Sequence, residues 1–244
     1  MIVVGTTLSA MAMSDDDAWR GWLLNARELR ACTNEDVHFF AAIETDRRGL
    51  RPFGPLVIDL DRLARDGGDS LGRRWPGHWT FSLDDGRTEV NFENRLRHIT
   101  AGQNIVRDFA LSNGATHLLF MAADCAYEPD GLQRLLDLNV AMVGGHVSTY
   151  CLDGPIASRF IPDYGNQIRE HMPSMAYCLI RRDLLQRVPF RWDDDAGMSD
   201  DPAYAFDAEN LGHTPYVHHG VLGRHYPEAI GDYESRGYDT KVIR

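Results

Sequence analysis

The sequence contains no Cys-x-x-Cys pair, no apolar run long enough to span a bilayer and no surplus of positive charge. Its four cysteines, Cys32, Cys125, Cys151 and Cys178, are scattered, and Cys125 and Cys178 sit inside apolar runs where small buried thiols are common. A reducing cytoplasm is the simplest setting for such usage. Lys and Arg number 25 against 36 Asp and Glu, a formal net charge of -11. That balance argues against a protein that coats nucleic acid non-specifically, because such binding is driven by cations displacing condensed counterions; only a local basic cleft is compatible with it. The opening residues, Met1 to Met13, are apolar but have no basic segment before them, and acidic residues follow at once. They are expected to form a strand and turn instead of an export signal, so a cytosolic protein is expected. There is no internal repeat and no low-complexity segment. A Gly-rich phosphate loop is also missing, since Gly5-Thr6-Thr7 is too short for one, which weakens a nucleotidyltransferase assignment.

What remains is a chain of 244 residues, 43% hydrophobic and 10% aromatic, enough to bury the core of one α/β domain. Ile2 to Val4 predicts a strand, and Trp19, Trp22, Leu23, Ala26 and Leu29 fall at helical spacing. Val37 to Ile43 predicts a second strand ending in Glu44-Thr45-Asp46, and Pro55 to Asp59 a short third one. Residues 66–93, rich in Gly, Asp, Arg and Trp, predict a long loop or hairpin insertion. An amphipathic helix is expected from Asn94 to Asn113, then a buried central strand over Thr116 to Ala123. A short helix at Pro129 to Leu136, strands at Val140 to Gly144 and Ala176 to Arg181, a helix from Arg182 to Arg187, a helix over Ala203 to Leu211 and a strand at Tyr216 to His219 complete the pattern. The expected architecture is a single domain over residues 1–244 with a mixed, mostly parallel sheet flanked by helices.

The most informative chemical feature is the central strand, which delivers Asp124 at its C-terminal end just before Glu128-Pro129 and a helix. Ligands of open α/β sheets bind outside the carboxyl ends of strands, so Asp124 is placed like a site residue; a helix or turn cap accounts for it equally well. The segment HLLFMAADCAYEPDGLQRLL resembles the part of GT-A glycosyltransferases, a Rossmann-like fold, in which a strand ends in an Asp-x-Asp motif followed by a Pro and a leucine-lined helix. Ala122 stands where the first Asp of that motif would be, and Asp124 keeps the second. The resemblance continues in order through Met142 to Gly145, Met175 to Arg182, Ser199-Asp200-Asp201 in place of an x-Glu-Asp motif, the helix ending Asn210-Leu211-Gly212, and Gly223-Arg224-His225. It covers roughly residues 95 to 226.

The resemblance implies a metal-dependent transferase acting on a nucleoside diphosphate sugar, UDP-sugar above all, with Asp124 and His225 as ligands of Mn²⁺ or Mg²⁺. A hard divalent ion accepts carboxylate, imidazole and diphosphate donors together. Asp201, with Asp200 as its alternative, is the expected general base, taking a proton from an acceptor hydroxyl in an inverting transfer; both residues also suit the first turn of a helix as dipole-compensating acids. Thr6, Thr7 and Asp46 lie at expected strand ends where a nucleobase and ribose could be held, although turn formation explains them too. Gly144 and Gly145 would let the backbone approach the donor, and a strand-end turn is their plainer explanation. Arg73 to Trp79 could stack on a sugar or an extruded base, or anchor a loop by its tryptophans. His218 and His219 are left out of the metal site because adjacent strand residues face opposite ways. The acceptor is open: a glycan, a small molecule, or, for a bacteriophage enzyme working in the host cytoplasm, a hydroxylated pyrimidine in DNA. A non-catalytic nucleotide- or sugar-binding module is the competing class, favoured by the loss of the first Asp at Ala122.

Overall fold

The computed structural model describes residues 1–8, 16–44, 77–81, 92–123, 125–147, 168–170, 172–192, 198 and 200–225. In chain order the elements are β1 (Ile2–Leu8), α1 (Asp16–Cys32), β2 (Val37–Glu44), β3 (Gly77–Phe81), α2 (Phe92–Ser112), β4 (His117–Met121), β5 (Cys125–Tyr127), α3 (Gly131–Leu136), β6 (Met142–Val147), β7 (Ile168–Glu170), β8 (Tyr177–Arg181), α4 (Arg182–Arg187), α5 (Asp200–Asn210) and β9 (Tyr216–His225). The strands form one sheet in the order β3-β2-β1-β4-β8-β6-β9-β5, with β7 also on β9.

Among the described residues the sheet is mixed in equal parts and not mostly parallel. Four pairings are parallel, β1 with β2, β1 with β4, β2 with β3 and β6 with β9. Four are antiparallel, β4 with β8, β6 with β8, β5 with β9 and β7 with β9. The reversal comes from β8, which runs against both β4 and β6. Strand direction of this kind is set by how the connecting chain returns to the sheet, and apolar content does not encode it.

Helices cover both faces, so the central strands are buried on both sides and carry continuous apolar runs. The period-two alternation survives inside those runs. Ile2, Val4, Phe39, Ala41, Leu119, Met121, Tyr177 and Leu179 pack with Trp22 and Leu29 of α1 and Leu132 and Leu135 of α3. Their neighbours Val3, Phe40, Ala42, Leu118, Phe120, Cys178 and Ile180 pack on the other face with Val106 of α2, Leu184 of α4 and Tyr204 of α5. Gly5 lets α2 approach closely, because a Cβ there would overlap the Val106 side chain. α2 ends at Asn113-Gly114, where Gly114 takes φ of 73°, the left-handed turn that glycine adopts without steric cost.

Three elements depart from the sequence expectation. Gly77–Phe81, within the stretch read as a loop or hairpin, is an edge strand parallel to β2. β5 and β7, three residues each, have no periodic signal of their own and exist through their pairing with β9. The expected third strand at residues 55–59 lies outside the described residues.

Candidate functional site

The carboxyl ends of β1, β2, β4 and β6 open at one edge of the sheet, and β8 begins there because Met121 pairs with Tyr177. This is the edge at which an open α/β sheet binds ligands. β4 stops at Met121, the chain passes through residues 122–124, and β5 pairs antiparallel with the end of β9. Cys125 sits opposite His225, Ala126 opposite Arg224 and Tyr127 opposite Gly223. Asp124 itself lies outside the described residues, as does the His225 side chain, but the chain neighbour of Asp124 and the backbone of His225 are ladder partners.

The segments on either side of residue 124 are clamped from α1. Trp22 Nε1 donates to the Met121 carbonyl at 3.0 Å. Asn25 Nδ2 donates to the Cys125 carbonyl at 2.6 Å, and Asn25 Oδ1 accepts from the Tyr127 amide at 3.2 Å. One side-chain amide thus bonds β5 as a neighbouring strand would, at the end of the sheet, where backbone groups need partners. Neither residue was singled out from sequence. The signal was available: Asn25 is a polar residue at i+3 from Trp22, within the apolar stripe of α1, and it is only 3% exposed.

A second chain of hydrogen bonds ties the same region to α5. The Ala122 amide donates to the Ala176 carbonyl at 2.8 Å, and the Tyr127 hydroxyl donates to that carbonyl at 2.7 Å. Ala176 in turn donates its amide to Ser174 Oγ at 3.2 Å. The Ser174 hydroxyl and the Met175 amide donate to the Asp201 carboxyl. The first turn of α5 is therefore connected through residues 174–176 to Ala122, two residues before Asp124, and to Tyr127.

Asp200 and Asp201 form an enclosed acid pair at the start of α5. Asp200 is buried and accepts from Gln103 Nε2 of α2 at 2.5 Å; Gln103 is likewise a polar residue on a buried helix face, at i+4 from Ile99 and i-3 from Val106. Asp201 is half-buried as a residue, with its carboxyl turned inward. Desolvation of that carboxyl, then the adjacent charge of Asp200, push its pKa well above the ordinary carboxylate range. Burial also raises Asp200, opposed by the bonds from Gln103, Asp201 and the first amides of the helix. Two carboxyls in contact cannot both ionise cheaply, so the nearness of Asp200 adds to the upward shift that burial gives Asp201. Burial and the charge of Asp201 also raise the nearby Cys178 thiol.

Among the remaining predicted residues, Thr6 is buried at the end of β1, and its hydroxyl has no hydrogen-bond partner. Thr7 is half-buried, and Asp46 and residues 73–76 lie outside the described residues. A Cβ on Gly144 would lie 2.5 Å from Pro173 Cβ, and one on Gly145 2.7 Å from the Val221 carbonyl oxygen and 2.8 Å from the Tyr177 ring. The space their missing side chains leave is filled by the protein, so both glycines have a packing reason independent of any ligand. Among the described residues no group of three or more His, Cys, Asp and Glu side chains is arranged to hold a metal ion, and no helix is long and apolar enough to cross a membrane.

No protein-family model matches the chain, and no curated protein matches it. Solved structures with a similar overall course include A197 from STIV, at 11% identity and a TM-score of 0.45, covering 93% of this chain and 86% of that one. Another is the inositol-1-phosphate CTP transferase from T. maritima, at 9% identity and a TM-score of 0.47, covering 99% and 93%.

Proposed function

We propose that the chain is a metal-dependent glycosyltransferase that moves a sugar from a nucleoside diphosphate donor, UDP-sugar first, to an acceptor hydroxyl. The observation that carries this is the β5–β9 ladder. It makes His225 the backbone partner of Cys125, the residue that follows Asp124 in the chain, and this supports a joint role for the two positions that sequence resemblance assigns to the metal, Asp124 and His225. Asp124 carboxylate and His225 imidazole are a donor set suited to Mn²⁺ or Mg²⁺ with sites left for oxygen. When bound, the ion neutralises charge on the departing diphosphate. The buried Thr6 hydroxyl, which has no hydrogen-bond partner, supports a contact to the nucleoside; Thr7, Asp46, Gly144 and Gly145 are the other donor-contact positions read from the sequence.

Asp201 in its ionised form takes the proton of the acceptor hydroxyl as that oxygen attacks the anomeric carbon opposite the diphosphate, inverting the centre. Its raised pKa makes the carboxylate a stronger base and confines activity to a pH at which it is ionised. Burial of the carboxyl, and after it the charge of Asp200, which is held by its bond from Gln103, raise that pKa.

A non-catalytic nucleotide-binding module is the second reading, favoured by Ala122 at the first position of the metal motif. Release of nucleoside diphosphate from UDP-, GDP-, CDP- and dTDP-hexoses, with and without Mn²⁺, separates the two. Metal-dependent release that is lost in Asp124→Ala supports the transferase. Binding of nucleotide with no release under any metal supports the module. Acceptors are then screened as glycans, small alcohols and hydroxymethylpyrimidine DNA, the last being the substrate class of a phage DNA-modifying enzyme.

A further inference from the structure

His146 of β6 and His219 of β9 stand with their Nδ1 atoms 3.1 Å apart, ring centroids 5.2 Å apart and planes at 43°. The two strands bring these rings together through an irregularity. β6 and β9 are in parallel register to Gly145, opposite His218, and the next residue, His146, is opposite Leu222. Residues 219–221 are therefore extra on β9, a bulge that interrupts the ladder just where His219 turns towards His146. Bulges of this kind re-aim side chains and are enriched beside functional sites. The bulge is bonded internally: the Gly220 amide donates to His218 Nδ1 at 3.1 Å, which occupies that ring atom and leaves His218 out of the pair.

The geometry points to a two-imidazole site for a late first-row transition ion, Zn²⁺ as the type case, bound between His146 Nδ1 and His219 Nδ1 and joining β6 to β9 across the bulge. A Zn–N bond is about 2.0–2.1 Å, so two imidazole nitrogens at a tetrahedral angle lie about 3.3–3.4 Å apart. The observed 3.1 Å is reached with an N–Zn–N angle of about 100°. At this separation at least one ring presents a lone pair towards the other, which is the form an imidazole takes as a ligand. Two neutral nitrogens with no carboxylate suit Zn²⁺, Ni²⁺ or Cu²⁺, whereas Mg²⁺ and Mn²⁺ favour a set that includes carboxylate oxygen. The site therefore differs in chemistry from the Asp124 and His225 pair, and its ligands sit on β6 and on β9 six residues before His225.

The test uses the untagged full chain carrying His225→Ala, so that the proposed catalytic metal position is already removed. Zn²⁺ is titrated calorimetrically in excess Mg²⁺, and melting temperature is followed in parallel. One Zn²⁺ per chain and a raised melting temperature are expected, with both lost on adding His146→Ala or His219→Ala. Unchanged stoichiometry in those variants overturns the site. Because a bulge variant can fail to fold, the imidazole ¹⁵N resonances of the His225→Ala chain are also recorded. Zn²⁺ must shift Nδ1 of His146 and His219 together, and shifts confined to other histidines, or no shift at all, overturn the proposal. Neither result bears on nucleotide turnover by the unaltered chain, so this site and the proposed function stand or fall separately.

Discussion

Replacing Asn25 by Ala removes the clamp on β5 without touching the sheet. In the native fold the Asn25 amide is 3% exposed and bonds the Cys125 carbonyl at 2.6 Å and the Tyr127 amide at 3.2 Å. The Ala side chain reaches neither, and both backbone groups lie in a region where Cys125 and Tyr127 are almost fully buried. Losing the partner of a buried polar group costs about 1–3 kcal/mol, so the two losses together come to about 2–6 kcal/mol. In a chain above 200 residues, at about 2–4 °C per kcal/mol, that corresponds to a fall in melting temperature of roughly 4–24 °C. Urea denaturation measures it as a lowered midpoint at unchanged slope. Arg27→Ala, an exposed site on the same helix, serves as control and should change stability by no more than about 0.5 kcal/mol. The clamp lies on both sides of Asp124, so Asn25→Ala should also weaken Mn²⁺-dependent nucleotide binding at temperatures where the variant remains folded. An Asn25→Ala midpoint indistinguishable from that of Arg27→Ala would refute the clamp.

Asp201→Asn should stabilise the fold and impair turnover. A carboxyl whose pKa is raised by folding keeps its proton in the native state after the unfolded chain has lost it. Native stability is thus greatest below the ordinary carboxylate pKa, and falls as pH rises through the window up to the raised value. The amide carries no such penalty, so the variant's advantage in melting temperature should be absent near pH 4 and grow towards neutrality. A variant that melts below the parent at pH 7 would contradict the raised Asp201 pKa. Asp200→Asn removes the neighbouring charge and should move the acid limb of the turnover profile to lower pH, while an unmoved limb would separate Asp200 from the base. Gly5→Ala should destabilise by about 1–3 kcal/mol through overpacking against Val106, and Val106→Ala should recover part of it in a double-mutant cycle. Additive losses would show that α2 is not held at that contact.

The central sheet was legible because its strands are buried on both faces: Leu118 to Met121 and Tyr177 to Ile180 carry unbroken apolar runs, and α4 falls on the expected residues 182–187. Strand direction was not. The antiparallel β8 depends on how residues 172–176 return across Ala122, a non-local contact with no trace in periodicity. β5 was hidden for a related reason, since Cys125 to Tyr127 is too short to show alternation and is held by Asn25 and by β9. At the site, Asp200 and Asp201 were visible as a paired acidic motif at a helix start. That they turn inward to Gln103 and Ser174 requires knowing which helix faces α5. His219 was set aside because strand neighbours alternate, a rule that holds for His218 and His219, yet the bulge at residues 219–221 supplies a partner from the adjoining strand.

The central claim, a metal-dependent nucleotide site at the β4–β5 edge, is tested most directly by thermal unfolding of the untagged chain and of Asp124→Asn. Each is measured with UDP, GDP, CDP and dTDP, with and without Mn²⁺. A ligand that binds only the folded state must raise the melting temperature. The account predicts a rise with one nucleotide, UDP first, that requires Mn²⁺ and disappears in Asp124→Asn. Melting temperatures unmoved by every nucleotide and metal combination, or a rise that persists undiminished in Asp124→Asn, would contradict it.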